Sequence, residues 1–231
     1  MNLVFLVEGS TEKKLYPKWV NYLSSTPLAE CTTGYQDVVN DQFTIFDVTG
    51  IGKMRNEIPA AINAIVANPV FDYFVIVVDA DDNSTANSIT LIQDIINDPV
   101  TPRLPANCQV KIIVQQACIE TWFIGHTDHF RAAQTCRDRG ILSVMSEYDV
   151  ENNDPELMPN NRLSTVLSIG RYHAFFLKRM LKGANRSWIY GKSTAHNLID
   201  IPYFQRLEQR LTEPPTHLQT FSDMVSFLKS L

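Results

Sequence analysis

Two continuous apolar runs, each closing on acidic residues, constrain this chain more than any other feature. Leu3-Val4-Phe5-Leu6-Val7 leads into Glu8-Gly9-Ser10-Thr11-Glu12, and Tyr73-Phe74-Val75-Ile76-Val77-Val78 leads into Asp79-Ala80-Asp81-Asp82. A half-exposed strand alternates polar and apolar residues, whereas runs without alternation read as strands of a parallel sheet covered on both faces. Open parallel sheets form their sites at the carboxyl ends of the strands. If these two strands are neighbours, Glu8, Glu12, Asp79, Asp81 and Asp82 converge on one small volume. Ionised carboxylates so gathered repel by roughly 4 kcal/mol per pair at about 4 Å and an effective dielectric near 20, so they call for a cation. A hard divalent ion, Mg2+ or Mn2+, is the natural neutraliser.

The surrounding pattern supports that frame. Ser10 or Thr11 is expected to cap a helix that presents Leu15, Trp19, Tyr22 and Leu23 on one face. Phe43 to Val48 reads as a second strand, Thr49-Gly50-Ile51-Gly52 as a turn, and Lys53 to Val66 as a helix. After the Tyr73 strand, a helix capped within Asn83 to Thr85 runs on through Ile96, and Gln109 to Val114 supplies a further strand. Strand and helix in alternation imply right-handed parallel crossovers, hence an α/β Rossmann-like sheet flanked by helices.

Beyond Ala117 the strand signals fade. Ile119, Trp122, Phe123 and His126 fall at helical spacing, Leu163 to Leu181 forms a later helical segment, and Met224 to Leu228 a closing one. Residues 1–126 are therefore expected to form the α/β core and residues 127–231 a mostly helical appendage. Glu151 to Pro155 and Gly191-Lys192-Ser193 read as loops.

With 231 residues, 45% of them hydrophobic, the chain can bury a full core. The net charge of −5 excludes a globally basic nucleic-acid binder but not a local basic face. Cys31, Cys108, Cys118 and Cys136 lie too far apart for a zinc CxxC pair and are too few for a disulfide scaffold, so reduced thiols in a cytoplasmic protein are expected. The first apolar run, broken at Glu8, is far short of a membrane span.

A glutamate closing one buried strand and an Asp-x-Asp closing a later one resemble the Toprim domain of topoisomerases, primases and nucleases. The likeness rests on Val7-Glu8-Gly9-Ser10-Thr11-Glu12 and Val78-Asp79-Ala80-Asp81. With Ile119-Glu120-Thr121-Trp122 following, it is nearest to the OLD-nuclease and RloB-like Toprim proteins of bacterial defence loci, over roughly the first 126 residues. The resemblance implies a Mg2+-dependent nuclease or related phosphoryl-transfer enzyme acting on nucleic acid, DNA rather than RNA, with an ATPase partner subunit and a homodimer both open. It gives Glu8, Asp79 and Asp81 the role of metal ligands and makes Glu120 a supporting site residue or a salt-bridge anchor, while Asp82, next in the acidic turn, is a further supporting candidate.

The chemistry of the residues agrees with those roles. Glu8 suits a ligand or general base, Gly9 lets a phosphate or backbone approach, and a helix amino terminus favours an anion. Glu12 is a further catalytic candidate, although the helix dipole alone favours an acid in a first turn. Glu120 falls on an apolar face and needs a partner, while Trp122 reads as core. His126 and His129 lack a third zinc ligand at suitable spacing. Arg171, His173, Lys178, Arg179, Lys182 and Arg186, with Trp188 and Tyr190, are candidates for gripping phosphates and stacking bases, weighed against an ordinary solvated helix face. Lys192 is a catalytic candidate, but Gly-Lys-Ser alone lacks the spacing of a Walker loop. Two other classes stay open: a non-catalytic Toprim-like binding module, and a receiver-type phosphoacceptor using Asp79.

Overall fold

The computed structural model describes residues 1–48, 50–160 and 167–231. Among them are five strands and ten α-helices in the order β1 (Asn2–Val7), α1 (Ser10–Leu23), β2 (Ala29–Glu30), β3 (Gln42–Asp47), α2 (Ile51–Ala67), β4 (Tyr73–Asp79), α3 (Thr85–Asn97), β5 (Gln109–Gln115), α4 (Ile119–Ile124), α5 (Thr127–Gln134), α6 (Arg139–Met145), α7 (Ile169–Ala184), α8 (Ala195–Leu198), α9 (Ile201–Thr212) and α10 (Gln219–Lys229).

The fold is α/β. One parallel sheet has the order β2-β3-β1-β4-β5, with β1 at its centre paired to β3 and β4. Every residue of β1 is buried, as its unbroken apolar run requires, and the interior of β4 is buried alike. From β1 the chain builds β2 and β3 on one side, then crosses to build β4 and β5 on the other. That reversal leaves a crevice outside the carboxyl ends of β1 and β4.

The chain forms two compact units. The first is Met1–Asp79 with Ser84–Val114 and Ser226–Leu231, and the second is Ala80–Asn83 with Gln115–Val225. In the first, α1 lays Leu15, Tyr16, Trp19 and Val20 into the core, and α2 meets α3. In the second, α7 is the central helix, packing on α4, α5 and α6. Its buried face carries Tyr172, His173, Phe176, Leu177, Met180 and Leu181.

Several local expectations change. The cap of α1 is Gly9, not Ser10 or Thr11, because the chain turns directly out of β1 and Thr11 is already buried in the first helical turn. Ile51 and Gly52 belong to α2 rather than to a turn, and Thr49 lies outside the described residues. The helix from Ile119 stops at Ile124, so His126 is not on it but caps α5, its ring accepting the His129 amide. Glycine is required just past that end: a side chain at Gly125 would stand 2.6 Å from Leu218 Cδ1. Leu163, the expected start of the long helix, lies outside the described residues, and α7 begins at Ile169. Strand β2, two exposed residues pairing with β3, was not expected at all. Among the described residues no helix is long and apolar enough to cross a membrane.

Candidate functional site

In the first unit, the register of β1 on β4 sets Val7 beside Val77, so both strands deliver their next residues to the crevice at the sheet's carboxyl edge. The Glu8 amide donates to the Val77 carbonyl at 3.1 Å, continuing the ladder one step past β1. The Glu8 side chain then turns across: its Oε2 accepts the Asp79 backbone N–H at 3.0 Å. This charge-assisted bond holds the Glu8 carboxylate against the residue that closes β4. Glu8 and Asp79 are both half-buried there.

Glu12 is 3% exposed, and its Oε2 stands 2.8 Å from where a Gly9 Cβ would be. The close approach that Gly9 permits is therefore taken by this carboxylate, lying back over the start of its own helix where the dipole favours it. At the neighbouring exit, Asp47 closes β3 and pairs with Lys13 at 2.7 Å. Neither had been singled out from sequence, although Asp47 closes an apolar run as Asp79 does.

The second unit gathers the other candidates. Asp81 and Ala117 both adopt left-handed backbone, with φ of 52° and 60°. They are tied together by the Asp81 N–H donating to the Ala117 carbonyl at 2.9 Å. A non-glycine residue held there costs about 1–3 kcal/mol, and such strain clusters at functional turns. Asp82 Oδ1 accepts the Ile169 amide at 2.8 Å, capping the start of α7. Asp81 lies beside it, its Oδ1 3.6 Å from the position of a Gly170 Cβ. Burial, then the Asp82 charge, holds the Asp81 carboxyl above its ordinary range, opposed by Lys192.

Glu120, 1% exposed, has the partner its apolar setting demands: the buried Tyr190 hydroxyl donates to Oε1 at 2.8 Å. Two residues later Lys192 stands exposed on the following turn. Asp81, Asp82, Glu120 and Lys192 thus share the second unit, linked through α7 and the Tyr190–Lys192 segment. Gln115, also missed from sequence, is fully buried with neither amide atom hydrogen-bonded. Trp122 is fully buried, its Nε1 donating to Thr220 at 2.8 Å. The His126 and His129 rings stack at 3.8 Å, and burial pushes His126 down to about 3.

Among the described residues no group of three or more His, Cys, Asp or Glu side chains is arranged to hold a metal ion. Glu8 and Asp79, joined by the bond from the Asp79 amide to the Glu8 carboxylate, are two residues with hard oxygen donors. Mg2+ keeps several waters and is commonly held by one or two carboxylates, so this donor set fits it. No family model matches the chain, and no curated protein or solved structure matches it.

Proposed function

We propose that this chain is a Mg2+-dependent Toprim-type nuclease, or a related phosphoryl-transfer enzyme, acting on nucleic acid. The observation that carries the reading is the Glu8 carboxylate held against Asp79 at the β1/β4 crevice, where the sheet order reverses. Glu8 and Asp79 would hold the ion, Mg2+ or Mn2+, and Asp81 keeps the ligand role that its Asp-x-Asp resemblance implies. When bound, such an ion neutralises charge on the phosphoryl oxygens and lowers the pKa of a coordinated water.

The chain's own residues supply the rest. The Asp79 amide fixes the direction of the Glu8 carboxylate, so Glu8 meets a substrate without first losing rotamer freedom. The Glu12 carboxyl group lies over the mouth of α1, which fills that helix end and leaves substrate anchoring to cationic groups elsewhere. Lys192 is an exposed cation able to contact a substrate phosphate. DNA is favoured over RNA, and a role in phage defence beside a separate ATPase subunit, in a cytoplasmic assembly, follows from the same resemblance.

A second reading, a non-catalytic Toprim-like binding module, is favoured by the lack of a three-ligand group among the described residues. The two part on one assay: labelled DNA or RNA incubated with Mg2+ or Mn2+, using the wild type, Glu8→Gln, Asp79→Asn and Asp81→Asn. Metal-dependent cutting reduced about 100-fold or more by Glu8→Gln and by Asp79→Asn supports the enzyme. Binding with no cutting under any condition supports the module.

A further inference from the structure

The chain is acidic overall, yet between Leu157 and Ile199 it holds seven of its 20 Lys and Arg residues and no Asp or Glu. Most of that stretch is α7 and the segment after it. On α7, the side chains of Arg171, Phe175, Lys178, Arg179 and Lys182 fall within an arc of about 100°, opposite the arc that packs into the second unit. Arg171, Lys178 and Lys182 are exposed. Arg179 stacks over the Phe175 ring, 5.2 Å from its centroid, and Arg186 follows, exposed, just past the helix. Among the described residues, none of Arg171, Lys178, Lys182 and Arg186 forms an ion pair.

Unpaired cations of one sign raise the potential of a surface and raise its free energy; a solvated helix face normally intersperses acids at i+3 or i+4, and this one has none. We infer that the basic stripe of α7 is a track for the sugar-phosphate backbone of a nucleic acid. From Arg171 to Lys182 it runs about 16 Å, the length of about five phosphates of one strand. It starts beside the Asp81–Asp82 turn, where Asp82 caps the helix. Because Asp82 already accepts the Ile169 amide and the Ser168 hydroxyl the Arg171 amide, the track binds phosphate through its side chains and not through the helix dipole. An anionic membrane is the poorer fit, since the apolar face that would enter lipid is buried in the second unit and Phe175 is covered by Arg179. The inference deepens the proposed function and rests on it only for nucleic acid as the substrate class.

The test is binding without cutting, in EDTA, by fluorescence anisotropy of labelled 30-nucleotide duplex DNA, single-stranded DNA and RNA over a salt series. The triple variant Arg171→Gln/Lys178→Gln/Lys182→Gln is compared with wild type and with Lys14→Gln/Arg55→Gln/Arg103→Gln, an equal charge loss on exposed positions of the first unit; circular dichroism checks folding. The α7 triple is expected to flatten the duplex slope of log K against log salt by about 2.7, from about 0.9 per contact, and to weaken binding 100-fold or more at low salt. The control is expected to keep most of the wild-type slope. Which probe binds best identifies the polymer. Equal slopes and affinities for wild type and α7 triple overturn the inference, as does binding to anionic vesicles with none to any nucleic acid. Because no metal is present, the outcome is separable from the nuclease reading: α7-dependent binding by a protein that never cuts keeps the track and removes the enzyme, and cutting unaffected by the triple does the reverse.

Discussion

Acid should destabilise the second unit through His173, and the size of the effect follows from how that ring is held. His173 is 1% exposed. Its Nε2 bonds the Met158 carbonyl at 3.0 Å, and because a carbonyl only accepts, Nε2 carries the proton. Nδ1 is then the acceptor for the Thr121 hydroxyl at 2.7 Å. A second proton would have to displace the Thr121 hydrogen bond and bring a charge into the core, so burial pushes the imidazole down to about 4 from an ordinary 6.5. The unfolded chain binds the extra proton below pH 6.5 and the folded chain does not, so stability is full above 6.5, falls as pH drops, and stops falling near 4. Over that whole window His173 removes about 3.4 kcal/mol, at about 1.36 kcal/mol per unit, and about 2 kcal/mol between about pH 7 and about pH 5. Urea unfolding followed by tryptophan fluorescence at those two pH values measures it, with His173→Gln, which keeps a donor and an acceptor but does not titrate, as the comparison. His126, held down to about 3, contributes a similar loss to both proteins and cancels. The variant should therefore lose about 2 kcal/mol less than wild type on acidification, whatever its stability at neutral pH. Equal losses would refute the assigned tautomer and the burial that supports it.

Two further outcomes test the packing around the candidate residues. Tyr190→Phe leaves the buried Glu120 carboxylate one donor short and should destabilise the second unit by about 1.5–3 kcal/mol in the same urea assay; an unchanged midpoint would show that Glu120 is satisfied elsewhere. Gly183→Ala sets two effects against each other. Helix propensity favours Ala by about 1 kcal/mol, but the new methyl would stand 2.8 Å from Ala133 Cβ and 2.9 Å from Ile141 Cγ2. Overpacking of that kind costs about 1–3 kcal/mol, so thermal melting should show net destabilisation, and a raised melting temperature would mean that α5 and α6 yield more easily than their packing implies.

The sheet was legible because β1 and β4 are buried on both faces, and that burial writes itself as an unbroken apolar run. The acids that close those runs were legible for the same reason, since Glu8 and Asp79 are the first residues free of it. Strand β2 was not, because two exposed residues that pair only through their backbone leave no side-chain pattern. The need for glycine just past α4 was hidden too: Gly125 is required by Leu218, 93 residues away, a contact no local spacing records. Glu120 announced that it needed a partner but could not name Tyr190, 70 residues on. Asp81 looked like a continuation of Asp79 in the chain, yet its left-handed backbone and its bond to Ala117 place it in the second unit.

Crystals soaked in Mn2+ and measured at the manganese absorption edge give the shortest route to the central proposal. An anomalous peak within coordinating distance, about 2.1–2.3 Å, of a Glu8 and an Asp79 carboxylate oxygen, and lost in Asp79→Asn crystals, is the expected result. A peak elsewhere with none at the β1/β4 crevice, or one indifferent to Asp79, would leave the carboxylate pair without an ion and the proposed phosphoryl chemistry without a centre.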